Sequence, residues 1–285
     1  MMSNVLHVGL PKTGTTFLQR RYFPRLAEYH CITSDQVLPS DFSFIYKINK
    51  EFDILPRPTL IRKLIRKDRN LNIKKISSKI QRYKNKTDLP ILLSCEGLVG
   101  VSFSPLRNNI EVSLLIKSVL DIEKVILVIR RQDHYVQSLY RQLILEEDRY
   151  GRFICPEDFV SKTPRLTALS SAVELNWLSL YQNYISIFGL DNVLCLPYEE
   201  MVKDLHGFIG RINNFLGVAP RLTQDFFTLR ERVSNVQVTY RGDNGKKFQE
   251  FDLELLRDVL TTQYANNKLL TELLDRDLSV HGYHF

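Results

Sequence analysis

The chain has 285 residues, 44% hydrophobic and 25% charged, enough to bury one substantial core and ordinary for a soluble globular protein. Lys, Arg, Asp or Glu punctuates every long apolar segment, so none approaches the roughly 18–20 apolar residues of a membrane helix, which speaks against an integral membrane protein. The net charge of +7 is local: between Arg57 and Lys86 twelve Lys or Arg stand against one Asp, so this stretch carries +11 and the remainder −4.

Cys31, Cys95, Cys155 and Cys195 stand singly, without C-x-x-C spacing or a compact disulfide framework. Buried reduced thiols are expected, and with no Cys or His cluster at ligand spacing no metal is expected either. Met1 leads directly into the apolar run Val5–Val8 without the basic start and long apolar stretch of a secretory signal, so the expected location is cytoplasmic.

Val5–Val8 reads as a buried first strand and Thr15–Glu28 as a first helix. Between them runs His7-Val8-Gly9-Leu10-Pro11-Lys12-Thr13-Gly14-Thr15-Thr16. A glycine-bearing turn at a helix N-terminus exposes backbone N–H groups and the positive end of the helix dipole, and so cradles an anion. Lys12 adds a full charge and the Thr15 and Thr16 hydroxyls add donors. A nucleoside-triphosphate loop reads G-x-x-x-x-G-K-[ST], with lysine directly after the second glycine. Here the Gly9-to-Gly14 spacing is kept, but Thr15 takes the lysine's place and the lysine sits inside the loop. No obvious Mg²⁺-binding partner accompanies it, which weakens kinase chemistry. His7, on the strand, reads as a core or cofactor-contact side chain.

The segment 55–88, opened by Pro56 and Pro58, interrupts the strand–helix alternation. Leu60, Ile61, Leu64 and Ile65 recur at helical spacing, so one face can dock while the charges stay solvated. It is expected to be a basic helical insertion or lid within a single domain of residues 1–285.

A second strand, Ile91–Ser94, delivers Cys95-Glu96-Gly97. A carboxylate just beyond an apolar strand is costly unless solvated, paired or used. Glu96 is the candidate general base, and pairing with a neighbouring basic residue is the alternative. The third strand, Lys124–Ile129, ends at Arg130-Arg131-Gln132-Asp133-His134, and a helix Asp133–Glu147 follows. Arg130 thus lies at a strand's carboxyl end, where parallel sheets place ligands. Ser138 comes eight residues later, and the two can converge on one phosphate, the arginine through its planar fork. An ion-pair partner and a helix filler would have the same spacing. His134 is the reserve base.

Further helices are expected at Ala168–Phe188, Met201–Leu216 and Glu254–Leu274, and a fourth strand at Asn192–Leu196. Trp177 reads as core, Pro197-Tyr198-Glu199-Glu200 as scaffold and Gly217 as a helix cap. The fold class is therefore α/β, a parallel sheet of four to five strands flanked by helices on both faces. Nothing marks an internal repeat.

The run Pro-Lys-Thr-Gly-Thr-Thr after a strand, with lysine inside the loop, resembles the 5′-phosphosulfate-binding loop of the sulfotransferase family. Arg130 and Ser138 match the strand-end arginine and following serine with which that family holds the 3′-phosphate of its donor, 3′-phosphoadenosine-5′-phosphosulfate. The resemblance implies cofactor contacts from Pro11, Lys12, Thr13, Gly14, Thr15, Thr16, Arg130 and Ser138. It also implies catalysis by Lys12 with Glu96, in a Ser-x-Glu pattern, while His134 stays the reserve base from its place at the start of a helix. The late glycine-rich arginine-lysine loop of cytosolic members has no clear copy. Leu229–Asn235 is the nearest candidate, with Arg232 or Ser234 touching the 3′-phosphate or the acceptor.

The wording Arg-Arg-Gln-Asp with a following Ser-x-Tyr is similar to bacterial members that modify carbohydrates. The implied activity is sulfuryl transfer to a hydroxyl or amine of a carbohydrate, anionic or lipid-linked if the basic insertion recognises it or lies on an acidic membrane surface. Nucleic acid is not an expected partner, and a homodimer is left open. A P-loop kinase and a non-catalytic binder of anionic glycans on the same fold are the alternatives.

Overall fold

The computed structural model describes residues 2–10, 12–33, 87–95, 109–138, 140, 175–219, 254 and 257–284. It contains a five-stranded sheet of β1 (Asn4–Gly9), β2 (His30–Thr33), β3 (Ile91–Ser94), β4 (Ile122–Ile129) and β5 (Val193–Pro197), in the order β2-β3-β1-β4-β5. β1 pairs in parallel with β3, Val5 opposite Leu92 and His7 opposite Ser94, and with β4, Gly9 opposite Val128. β2 pairs in parallel with β3.

The strands read as continuous apolar runs because both faces are covered. All four residues of β3 and the five from Val125 to Ile129 are buried, so consecutive side chains on opposite faces both leave water. From β1 the chain runs to β2 and β3 on one side, then returns past β1 to β4 and β5 on the other. The strand order therefore reverses at β1, and the carboxyl end of a strand at such a point is where an open α/β sheet places its ligand.

The helices are α1 (Thr15–Phe17), α2 (Asn109–Leu120), α3 (132–138), α4 (Trp177–Phe188), α5 (Tyr198–Lys203), α6 (Leu205–Leu216) and α7 (Arg257–Leu274). The chain groups into two compact units, Met1–Ile129 with Leu178–Cys195, and Arg130–Trp177 with Leu196–Phe285. Among the described residues no helix is long and apolar enough to cross a membrane.

Several expectations are corrected. β2 is an additional strand, short and at the sheet edge. The helix expected over Thr15–Glu28 is one turn of α1, a π-turn at Leu18–Tyr22 and a tight turn at Phe23–Arg25, where Pro24 supplies no N–H to continue the ladder. Of the helix expected over Ala168–Phe188, residues 168–174 lie outside the described residues, Leu175 and Asn176 are not helical, and α4 begins at Trp177. The helix expected over Met201–Leu216 is two helices, because Asp204 leaves helical geometry and accepts the Gly207 N–H at 2.9 Å, capping α6. The basic segment 55–88 lies outside the described residues.

Asp204→Ala removes that cap. It is expected to cost about 1 kcal/mol, read as a lower urea midpoint at unchanged slope.

Candidate functional site

In the first unit the loop after β1 leaves the sheet beside β4, with the Leu10 N–H donating to the Val128 carbonyl at 3.1 Å. Gly9 is held to glycine by close approach, since a Cβ there would collide with Thr15 Cγ2 and lie 2.7 Å from Thr13 Oγ1. Thr13 is buried, and its hydroxyl donates back to the Leu10 carbonyl at 2.6 Å, closing the loop on itself. Lys12 has φ 65° and Gly14 φ 74°. A lysine in this left-handed region costs about 1–3 kcal/mol and persists only where its surroundings over-determine it. The outcome is a tight turn with Lys12 and Thr16 exposed, Thr15 buried, and Gly14 opening the helical segment. Its first N–H groups have no intrahelical acceptors. Such a loop can bind an anion.

Beneath it lies a buried polar group. His7, on β1, and Ser94, the last residue of β3, share a 2.6 Å hydrogen bond between Nδ1 and Oγ. Gln19 donates its side-chain N–H to Ser94 Oγ at 3.1 Å and to the Ser94 carbonyl at 3.3 Å. The His7 ring meets Phe23 edge-on at 4.9 Å. Burial pushes the imidazole down to about 3, so it is neutral. The Cys95 N–H donates to the His7 carbonyl at 3.1 Å. The carboxyl end of β3, from which the chain proceeds to Glu96, is therefore fixed from both its backbone and its last side chain.

In the second unit Arg130 follows β4. Its carbonyl accepts from Trp177 Nε1 at 2.7 Å, and its guanidinium lies 4.9 Å from the centre of the Tyr198 ring. Arg131 is committed elsewhere. Its fork grips Asp133, Nε to Oδ1 at 2.7 Å and Nη2 to Oδ2 at 2.5 Å, and Nη2 also donates to His134 Nε2 at 2.9 Å. Burial alone would raise the Asp133 carboxyl, but the Arg131 fork outweighs it and holds the group below its usual range. The two adjacent arginines are thus sorted by geometry, Arg131 structural and Arg130 stacked on an aromatic ring. Because Arg131 is always a donor, His134 Nε2 is an acceptor, and its Nδ1 faces Glu199 Oε1 at 3.9 Å.

Glu199 accepts the Arg131 backbone N–H at 3.1 Å and the Tyr283 hydroxyl at 3.2 Å. Burial raises its carboxyl, an effect partly offset by these donors and by the Arg130 charge. Ser138 sits half-buried near the end of the described part of α3.

Residues 3–263 match the family model described as a sulfotransferase domain. The chain belongs to the sulfotransferase family. No curated protein sequence matches it significantly. Among solved structures, the sulfotransferase from Alicyclobacillus acidocaldarius resembles it over 99% of this chain and 99% of its own, at 15% identity and TM-score 0.59, which shows a common fold. The sulfotransferase domain from the curacin biosynthetic pathway is 12% identical over 97% and 99% of the two chains, with TM-score 0.45. Mouse sulfotransferase SULT7A1 complexed with PAP is 14% identical over 96% and 88%, with TM-score 0.44.

Of the residues singled out in this sulfotransferase, Lys12, Thr13, Gly14, Thr15 and Thr16 share one loop of the first unit, and Arg130, His134 and Ser138 fall in the second. Pro11, Glu96, Arg232 and Ser234 lie outside the described residues. The sequence reading missed Gln19 and the part played by Tyr283. Gln19 carried a faint signal, a polar residue on the buried side of an apolar helical segment; Tyr283 carried none.

His7 ties the stability of the fold to pH. Between its lowered value of about 3 and the ordinary 6.5, the unfolded chain takes up a proton that the folded chain refuses, so stability falls as pH drops through that window. The urea midpoint is expected to fall less steeply below pH 6.5 in His7→Gln than in the parent; equal slopes would show that His7 titrates normally.

Proposed function

We propose that the enzyme transfers a sulfuryl group from 3′-phosphoadenosine-5′-phosphosulfate to a hydroxyl or amine of a carbohydrate. The observation that carries this reading is the loop itself, with lysine inside it and the glycine Cβ space already filled by Thr13 and Thr15. The donor supplies an activated sulfuryl group on a phosphate leaving group. Pro11, Lys12, Thr13, Gly14, Thr15 and Thr16 would hold its 5′-phosphosulfate, and Arg130 with Ser138 its 3′-phosphate. Arg232 or Ser234 would add a late contact. No metal is needed in this scheme, since Lys12 supplies the positive charge.

Lys12 would neutralise the negative charge that builds on the leaving phosphate. Glu96 would take the acceptor's proton as attack begins. The tethered end of β3 supports this role, because His7 and Gln19 fix Ser94 and the Cys95 N–H, the two residues before it. His134 is the weaker base candidate, its Nε2 lone pair already receiving Arg131.

The family match runs from residue 3 to residue 263 and so takes in parts of both compact units, which supports reading 1–285 as one sulfotransferase domain. Segment 55–88 would be its lid. A carbohydrate acceptor is favoured by the wording around Arg130, and an anionic or lipid-linked one by the +11 charge of Arg57–Lys86. A cytoplasmic setting suits both the donor and the single thiols.

Two substitutions test the chemistry with radiolabelled donor. Lys12→Ala is expected to lower turnover by about 10²–10³-fold with an unchanged melting temperature, and full activity would remove Lys12 from the reaction. Glu96→Gln is expected to lower kcat by about 10²–10⁴-fold while donor affinity holds, and an unchanged kcat would move the base to His134.

A further inference from the structure

The last twenty-odd residues lie beyond the family match, which ends at 263, yet they reach the start of α3 at several points. Tyr283 is 2% exposed, and its hydroxyl donates to Glu199 Oε2 while Glu199 Oε1 holds the Arg131 backbone N–H. Asn267 accepts from the Gln132 side chain at 2.8 Å and donates to the His284 carbonyl at 3.3 Å, so it joins the residue after Arg131 to the C-terminal segment. Gly282, at φ 79°, packs where a Cβ would collide with the Arg131 guanidinium.

We infer that residues 267–284 form a clasp that positions Arg130, through Glu199, Arg131 and Gln132, for the 3′-phosphate of the donor. The inference rests on the proposed role of Arg130 at that phosphate. Each link lies within the second unit. Arg130 is flanked by Trp177 on its carbonyl and by Tyr198 under its guanidinium, and Tyr198 is the neighbour of the clasped Glu199. Tyr283, Asn267 and Gly282 act through Glu199, Gln132 and Arg131; they are positioning residues.

Burial alone would be served by phenylalanine at 283. The hydroxyl adds a hydrogen bond to a nearly buried carboxylate, which would otherwise turn towards Arg130 or release the Arg131 N–H. The clasp therefore acts on direction, and its loss should be felt at one phosphate and not over the whole nucleotide.

The test is the affinity ratio between 3′-phosphoadenosine 5′-phosphate and 5′-AMP, measured by calorimetry in the full chain. Tyr283→Phe is expected to lower that ratio about five- to twentyfold, with 5′-AMP affinity nearly unchanged. Gly282→Ala, which disturbs Arg131 from the other side, should lower the ratio in the same sense and serves if the tyrosine variant folds poorly. A general structural role would weaken both nucleotides alike, and an unchanged ratio in both variants overturns the clasp. Arg130→Ala separates the two layers. If it abolishes the preference while Tyr283→Phe leaves it intact, only the clasp falls; if Arg130→Ala leaves the preference intact, the 3′-phosphate reading falls and the clasp with it.

Discussion

The parallel pairing of β1 with β4 is the constraint on which the rest depends. Gly9 opposite Val128 and the Leu10 N–H on the Val128 carbonyl end the two strands at one level. The loop that follows must turn within a few residues. It does so by placing Lys12 and Gly14 at positive φ and folding the Thr13 hydroxyl back on the Leu10 carbonyl. The same buried strands that force the turn provide its rigidity, because Val5, Leu6, Val8 and Val125–Ile129 are wholly out of water.

The two units handle polarity differently. Under the loop, His7, Ser94 and Gln19 form a neutral buried group, in which imidazole, hydroxyl and amide meet without formal charge. A charged group there would carry a large desolvation cost. In the second unit the network is ionic: Asp133 holds the Arg131 guanidinium, Glu199 accepts the Arg131 backbone N–H, and Glu200 receives both Arg211 and Arg276. Leaving one partner of such a group unmatched is more costly than the intact group is favourable, so these contacts fix geometry more than they add stability.

The sheet was legible because strands covered on both faces are continuous apolar runs, as at Ile91–Ser94 and Val125–Ile129. β2 was not, since His-Cys-Ile-Thr at an edge, with His30 and Cys31 half exposed, breaks that pattern. The loop was legible from its letters because lysine within a Gly-to-Gly spacing is a local signal. Its strain was not, because a positive φ at Lys12 is a feature of the folded turn that residue identity does not announce. The breaks at Pro24 and Asp204 had local signals that the periodicity of neighbouring apolar residues outweighed. The Glu199–Tyr283 contact joins residues 84 apart through a single hydroxyl, and no local pattern encodes it.

The proposed donor site would hold its phosphosulfate end through Lys12 and backbone N–H groups rather than through a metal. Calorimetric titration with 3′-phosphoadenosine 5′-phosphate in metal-free buffer, set beside titration with ATP and Mg²⁺, tests this most directly. Tight binding of the bisphosphate without metal, stronger than that of Mg²⁺-ATP, is the predicted result. No binding, or a preference for Mg²⁺-ATP, would contradict it.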